Sequence, residues 1–327
     1  MRFGIIGTNF ISDEFMKGVS LLSDKITVTG VCSGRIENAQ AFADKYDIPS
    51  VFPNHIEMLD SGQIDAVYIA TPNSKHYQMT LDALSRKIPT FCEKPLAVNL
   101  KQAEEMISLA IKNKTYLHHG IVPLYTPNLP VLKTHLAQLG PIRRVVLAMN
   151  QYSSRYDLYL AGENPTTFRK DLANGSLMDL GIYLISVLVA LFGKPNRIQA
   201  DSIMLDTGVD AASTLLLTYD SFQAVIMCSK VIASQVISEI TGENGSIDIK
   251  LPSLLKDITL NRRKEQTSEI ISQLYDNHFR LELEEFLNVV ESGRYESDMV
   301  PYQLTLDIME VLTEARLVSG IKFREDE

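Results

Sequence analysis

The chain reads as an α/β protein: a parallel sheet covered by helices comes first, and an α+β domain with a large, mostly antiparallel sheet follows. Three observations predict this. Buried strand runs alternate with amphipathic helices up to about residue 121. A tight turn at Gly7 joins the first strand to the first helix. Beyond residue 195, strand-like runs crowd together on links too short for a crossover, so they must pair antiparallel. With 327 residues, two domains are expected, 1–121 and 122–327, each large enough to bury a core.

The opening Arg2-Phe-Gly-Ile-Ile-Gly-Thr-Asn-Phe-Ile-Ser-Asp13 carries a buried strand over 2–6 into the Gly7 turn. A helix follows with Ile11, Phe15, Val19 and Leu22 on one face. Backbone N–H groups and the positive end of a helix meet at such a turn, which suits a pyrophosphate. Gly7, Thr8, Asn9, Phe10 and Ile11 are therefore the expected cradle of a Rossmann dinucleotide-binding domain. Against the G-x-G-x-x-G fingerprint only the first glycine is kept. Asn9, which tolerates a left-handed backbone, and the small Ser12 stand at the other two positions, and an ordinary strand-to-helix turn is the competing reading.

Further along, strands are predicted at 26–32, 64–70, 90–92 and 116–119, alternating with helices at 37–46, 75–86 and 99–113. Ligands of such a sheet bind at the carboxyl ends of its strands, just after Ile6, Cys32, Ala70 and Cys92. From about Pro123 the rhythm changes. A helix over 129–138 leads to a strand over 142–150, a Tyr-rich polar loop to Asn174, and a helix over 177–192 that stops before Gly193. Strands at 197–204, 212–219, 223–230, 235–241 and 246–250 come next, then helices over about 275–292 and 301–319. A sheet with helices on one face leaves the other bare, which a second subunit would cover.

Composition narrows the function. A chain that is 45% hydrophobic and 22% charged is ordinary for a globular enzyme. The net charge of −9 repels a phosphate backbone, and no basic stripe carries interleaved aromatics, so no nucleic acid partner is expected. No run approaches about 18 apolar residues and no basic leader precedes the first strand, which predicts no membrane partner and a cytoplasmic location. Cys32, Cys92 and Cys228 lie far apart, an arrangement of buried thiols rather than of a disulfide framework or a sequence-local zinc site. No metal is expected.

The strand ends carry the chemistry. After the second strand, Cys32-Ser-Gly-Arg35 lacks the acid that would hold the ribose of NAD. Ser33 and Arg35 can take a 2′-phosphate instead, so NADP is preferred over NAD, although Arg35 also reads as a solvated surface charge. After the third strand, Thr71, Pro72 and Asn73 turn the backbone over the middle of the cofactor, and His76 either caps that turn or touches the ligand. Glu93-Lys-Pro95 puts an ammonium, Lys94, at the active edge of the sheet, and a salt-bridged surface lysine is its plain alternative. In Gly175-Ser-Leu-Met-Asp-Leu-Gly-Ile-Tyr183, Asp179 and Tyr183 share a helix face one turn apart. A phenol transfers a proton near neutral pH only when a nearby cation lowers its pKa, and Lys94 is the expected cation. Asp179 would orient a substrate hydroxyl or the Tyr–Lys pair.

Gly4-Ile-Ile-Gly7, Ala70-Thr-Pro-Asn-Ser-Lys-His76, Glu93-Lys-Pro-Leu96 and Gly175 to Tyr183, in that order, resemble the glucose–fructose oxidoreductase, inositol dehydrogenase and rhizopine-catabolism (Gfo/Idh/MocA) family over nearly the whole chain. The resemblance implies that Lys94 is catalytic, that Asp179 joins it, and that the C-terminal sheet forms a homodimer interface, with tetramers as a further option. Many members carry histidine where this chain has Tyr183. That exchange resembles the dihydrodiol dehydrogenase and NADP-dependent xylose dehydrogenase branch and argues against an inositol-type substrate. The expected activity is reversible hydride transfer at a carbinol or carbonyl carbon of a sugar, polyol or cyclic diol. Tyr152, Arg155, Tyr156 and Phe168 of the 151–174 loop are the expected substrate contacts. An NAD-dependent inositol or amino-sugar dehydrogenase and a non-catalytic dinucleotide sensor are the alternatives.

Overall fold

A computed structural model describes all residues, 1–327. The chain divides into two units, residues 1–120 with 277–302, and residues 121–276 with 303–327.

In the first unit β1 (Arg2–Ile6), α1 (Phe10–Ser20), β2 (Thr27–Cys32), α2 (Ile36–Tyr46), β3 (Ser50–Phe52), α3 (His55–Asp60), β4 (Ala66–Ile69), α4 (Asn73–Ser85), β5 (Thr90–Glu93), α5 (Leu100–Asn113) and β6 (Leu117–Gly120) alternate in the expected way. The six strands are all parallel, in the order β3-β2-β1-β4-β5-β6. Every residue of β4, β5 and β6 is buried, as a parallel sheet covered on both faces requires. Strand order reverses between β1 and β4, so the loops after Ile6 and Ile69 leave in opposite directions and open a crevice. Periodicity does not announce β3 and α3, which at three and six residues are too short to show a repeat.

The second unit begins with α6 (Asn128–Leu136), β7 (Ile142–Asn150), α7 (Tyr156–Leu160) and α8 (Ile182–Phe192). Seven strands follow: β8 (Arg197–Met204), β9 (Asp210–Thr218), β10 (Gln223–Ser229), β11 (Ser238–Gly242), β12 (Gly245–Leu251), β13 (Lys256–Arg262) and β14 (Thr267–Ile270). With β7 they form one eight-stranded sheet, β14-β13-β12-β11-β7-β10-β9-β8. Its pairs are antiparallel except β7 with β10, which run parallel in the register Asn150 to Ser229. The large, mostly antiparallel sheet is thus present. Two strands beyond the predicted ones extend it: β13 buries only Ile258 and Leu260, and β14 is fully exposed, so neither has a strong alternation. In the helical run Lys170–Phe192, the most apolar 18-residue window is 72% buried, the character of a core helix.

Residues 277–302 depart from the expected 122–327 domain. Their helix, α9 (His278–Glu291), packs in the first unit, where Phe286 meets Phe3 at 5.3 Å between ring centroids and Phe279 meets Phe15 at 5.7 Å. Phe15 also stacks on Tyr68 at 3.8 Å. The apolar stripe of α9 is legible, but a stripe does not say which sheet it covers; an aromatic-lined site decided that. The chain closes with α10 (Tyr302–Val318) and a tail clasp, in which the fully buried Arg316 pairs with Asp326.

Candidate functional site

In the first unit the crevice is lined by the turn after β1. Gly7 has φ +101°, and a Cβ there would lie 2.3 Å from the Ala70 carbonyl oxygen, so only glycine fits this close approach. Asn9 caps α1: its Oδ1 accepts the Ile11 N–H at 3.0 Å, and its Nδ2 donates to the Ala70 oxygen at 2.9 Å. Ser12 donates to the Gly7 oxygen at 2.9 Å. The two departures from the glycine fingerprint thus close the turn with their own side chains. Thr8 and Ser33 meet at 3.1 Å and tie the turn to the end of β2. Phe10 is 63% exposed and Ile11 half-buried. Arg35 lies exposed where α2 begins, and no carboxylate stands between Cys32 and Arg35. Burial pushes the Cys32 thiol up to about 12, so it stays a neutral thiol.

The ends of β4 and β5 are braced from behind. His76 is 1% exposed, with Nδ1 2.9 Å from the Pro95 oxygen and Nε2 2.8 Å from the Thr71 oxygen. It therefore links the Thr71-Pro72-Asn73 turn to the Lys94-Pro95 loop. Carbonyls only accept, so a neutral ring donates to one of them at a time. Burial, together with the nearby Lys94 charge, holds the His76 pKa below its ordinary value despite those carbonyls. The Tyr68 hydroxyl donates to Glu93 Oε1 at 2.7 Å, which fixes the carboxyl group next to Lys94. Beneath it lie Glu282 of α9, pushed well above the usual carboxylate range by burial and then by Glu93, and His118, driven well below its ordinary value by burial.

The second unit gathers the other candidates. Gly175 has φ +136°, and a Cβ there would fall 2.1 Å from Asp210 Oδ1. Asp210 Oδ2 accepts the Leu177 N–H and the Ser213 hydroxyl, each at 2.7 Å, and so anchors the start of a π-helical turn, Leu177–Gly181. Asp179 lies inside that wide turn, and Tyr183 follows in the first turn of α8. Asp179 Oδ2 is 2.7 Å from the ammonium of Lys230, which is 3% exposed and also donates to Thr167 Oγ1 at 2.7 Å. The parallel pairing explains the meeting: β7 and β10 end at the same edge, so the 151–174 loop and Lys230 leave side by side, with the Ser153 N–H donating to the Lys230 oxygen at 2.8 Å.

That loop folds on its rings. Tyr156 lies 5.6 Å from Tyr152 and from Tyr159, and both Tyr156 and Tyr159 pack 5.7 Å from Phe168. Tyr152 stays 41% exposed, and its hydroxyl donates to Asp157 at 2.6 Å. Arg155 precedes α7 and is half-buried. Phe168 departs from its expected place among the substrate contacts: it is fully buried beneath Tyr156 and Tyr159, because a bare phenyl ring gains most by leaving water. Lys230 and Asp210 were not singled out by sequence reasoning. The available signals were an ammonium ending the apolar strand Gln223–Ser229 and a lone acid opening the apolar run at Asp210.

Residues 1–121 match the family described as an oxidoreductase family with an NAD-binding Rossmann fold, and residues 136–248 match the Gfo/Idh/MocA C-terminal domain. The chain belongs to the Gfo/Idh/MocA oxidoreductase family. Among curated relatives of this family member, scyllo-inositol 2-dehydrogenase (NADP(+)) of Bacillus subtilis is 36% identical over all of this chain and 99% of the relative. Trans-1,2-dihydrobenzene-1,2-diol dehydrogenase of Danio rerio is 27% identical over 100% and 99% of the two chains. The crystal structure of a 3-ketoreductase from Actinomadura kijaniata, with NADP and TDP-benzene, superposes with a TM-score of 0.86 at 20% identity and covers 97% of each chain. As a Gfo/Idh/MocA member the chain is an NAD(P)-dependent oxidoreductase. Its residues fit that cofactor: the Gly7 turn admits no Cβ, α1 presents a capped N-terminus, and the Thr71 hydroxyl is buried without a hydrogen-bond partner beside the crevice.

Proposed function

We propose that this chain is an NADP-preferring dehydrogenase/reductase that interconverts a secondary or hemiacetal carbinol with its carbonyl in a cyclic sugar, polyol or diol. The observation that carries the reading is the placement of Lys94 immediately past β5, on a loop braced by Glu93–Tyr68 and by His76–Pro95. A held ammonium at the carboxyl edge of such a sheet stabilises negative charge developing on a substrate oxygen. Tyr183 moves the proton of the reacting hydroxyl, taking it during oxidation and returning it during reduction. When bound, the nicotinamide cofactor supplies or accepts the hydride. Ser33 and Arg35 receive the 2′-phosphate, a preference supported by the absence of an acid at the end of β2 and by the NADP-linked relative. That relative also supports cyclic polyols of the inositol kind, despite Tyr183 standing where many members carry histidine.

The outer face of the eight-stranded sheet supports a homodimer. Val146, Leu216 and Val225 share one row across β7, β9 and β10, and all three are half-buried. The reading places the enzyme in the cytoplasm, and light scattering of the purified protein tests the dimer. Turnover on a panel of inositols, aldoses and dihydrodiols tests the activity, with wild type beside Lys94→Met and Tyr183→Phe. Both variants are expected to bind NADPH and to lose at least about 100-fold in kcat. Unchanged turnover in either would remove that residue from the mechanism. Arg35→Ser is expected to raise KM for NADPH at least about 10-fold while leaving KM for NADH alone, and equal effects would remove the NADP preference.

A further inference from the structure

We infer that His76 is a positioning residue with two settings: its one N–H holds either the Thr71 turn or the Lys94-Pro95 loop, and a dinucleotide resting on the Thr71 turn sends that proton to the Pro95 side and so fixes Lys94 for the reaction. The role given to Lys94 rests on the dehydrogenase reading above; the exchange of the proton does not. Four observations carry the inference. First, both ring nitrogens meet carbonyl oxygens at hydrogen-bond distance, Nδ1 the Pro95 oxygen at 2.9 Å and Nε2 the Thr71 oxygen at 2.8 Å. A neutral imidazole has one donor, so one carbonyl always faces a bare lone pair, and the ring has two states that favour opposite partners. Second, His76 is 1% exposed, so bulk water does not relieve that mismatch.

Third, the groups that face the ring do not favour the doubly protonated form, which would satisfy both carbonyls at once. They are Lys94, a cation, and His119, a buried ring that stays neutral, and burial with the Lys94 charge holds His76 below its ordinary pKa. Fourth, the two ends are unequally placed. Pro95 and its bond to Nδ1 are buried, whereas Thr71 is half-buried and its bond to Nε2 only partly enclosed, so a ligand reaches the ring's partners from the Thr71 side. That turn follows β4, where the strand order reverses, and its Thr71 hydroxyl has no hydrogen-bond partner. A dinucleotide that donates to the Thr71 carbonyl or engages that hydroxyl competes with the Nε2–H. The ring then loses its proton at Nε2 and gains one at Nδ1, with its charge unchanged. Before Lys94, the Tyr68–Glu93 bond at 2.7 Å is made in either setting; after it, the bond to Pro95 is made in one only. By linkage, the setting that the dinucleotide favours binds it more tightly in return.

Nitrogen NMR of the full chain, labelled at its histidines, tests the exchange. The His76 signals are assigned by their loss in either variant below, and a neutral ring shows one pyrrole-type and one pyridine-type nitrogen. Adding NADPH, with NADH as the second dinucleotide, is expected to make Nδ1 the pyrrole-type one. His76→Asn puts an amide donor where Nδ1 stands and His76→Gln one where Nε2 stands, so each variant is locked in one setting. His76→Asn should keep NADPH affinity and kcat within about 3-fold of wild type. His76→Gln should weaken NADPH binding about 5-fold or more and lower kcat about 10- to 100-fold, while melting with His76→Asn. The wild-type spectra with and without dinucleotide give a reading even if one variant does not fold. A ring protonated on both nitrogens, a tautomer unchanged by a dinucleotide that binds, or equal losses in the two variants would overturn the inference and leave the dehydrogenase reading standing. A proton that moves as stated, in a wild type that turns over no member of the substrate panel, would keep the exchange and overturn the role of Lys94. A chain that binds neither dinucleotide would overturn both.

Discussion

Replacing Gly175 by alanine tests how the Asp179 turn is held. The backbone at φ +136° costs an L-residue about 1–3 kcal/mol. The new methyl would also lie 2.1 Å from Asp210 Oδ1, so the carboxylate must move. Asp210 is fully buried and that oxygen has no hydrogen-bond partner, so it has no water to retreat into. Moving it weakens the bonds to Leu177 and Ser213, each worth about 1.5–3 kcal/mol when the acceptor is charged. Part of that loss plus the backbone strain comes to about 3–6 kcal/mol, a fall of about 6–24 °C in the melting of a unit of this size. Differential scanning calorimetry reads the melting, and NADPH affinity is expected to stay at the wild-type value because the Gly7 turn lies in the other unit. In an Asp210→Ala background the methyl meets no carboxylate, and only the backbone term of about 1–3 kcal/mol should remain. An unchanged melting temperature, or the same cost in both backgrounds, would refute the reasoning.

Two further predictions concern stability alone. Burial drives His119 down to about 3 and His118 well below its ordinary value, whereas both titrate near 6.5 in the unfolded chain. The unfolded state therefore binds more protons below that pH: stability is complete above about pH 6.5 and is lost as the pH falls towards 3, by up to about 1.4 kcal/mol per pH unit for each site. Urea midpoints taken at pH 7.5, 6 and 5 should fall steadily, and less steeply in His119→Asn; identical slopes would rule out this source. In the tail, Asp326→Ala leaves the fully buried Arg316 guanidinium without its carboxylate and should cost about 3–5 kcal/mol. A variant that melts with the wild type would mean the clasp carries no weight.

The parts of the fold written in repetition were legible. Short continuous apolar runs such as Ile5-Ile6 and Val67 to Ala70 announce buried strands, and Gly7 announces the turn, because hydrophobicity and backbone freedom are local properties. What stayed hidden depends on partners distant in sequence. Lys230 gains its meaning only when β10 lies parallel to β7, and Asp210 only when Gly175 leaves room for its carboxylate. Phe168 and Tyr152 look alike as aromatic residues of one loop, yet the first is buried and the second exposed, because only tyrosine keeps a hydroxyl for Asp157. Glu282 reads as a surface acid on an amphipathic helix, whereas it lies 1% exposed near Tyr68 and Glu93.

The return of α9 to the first unit has a bearing on how the protein is made. The nucleotide-binding half is discontinuous: its hydrophobic centre needs Phe279 and Phe286, which leave the ribosome more than 150 residues after β6. A fragment ending near residue 120 would expose Phe3, Phe15 and Phe91 and should be sticky and poorly soluble. The second unit is closed by residues 303–327, made later still, so neither unit is complete until the last part of the chain has been synthesised.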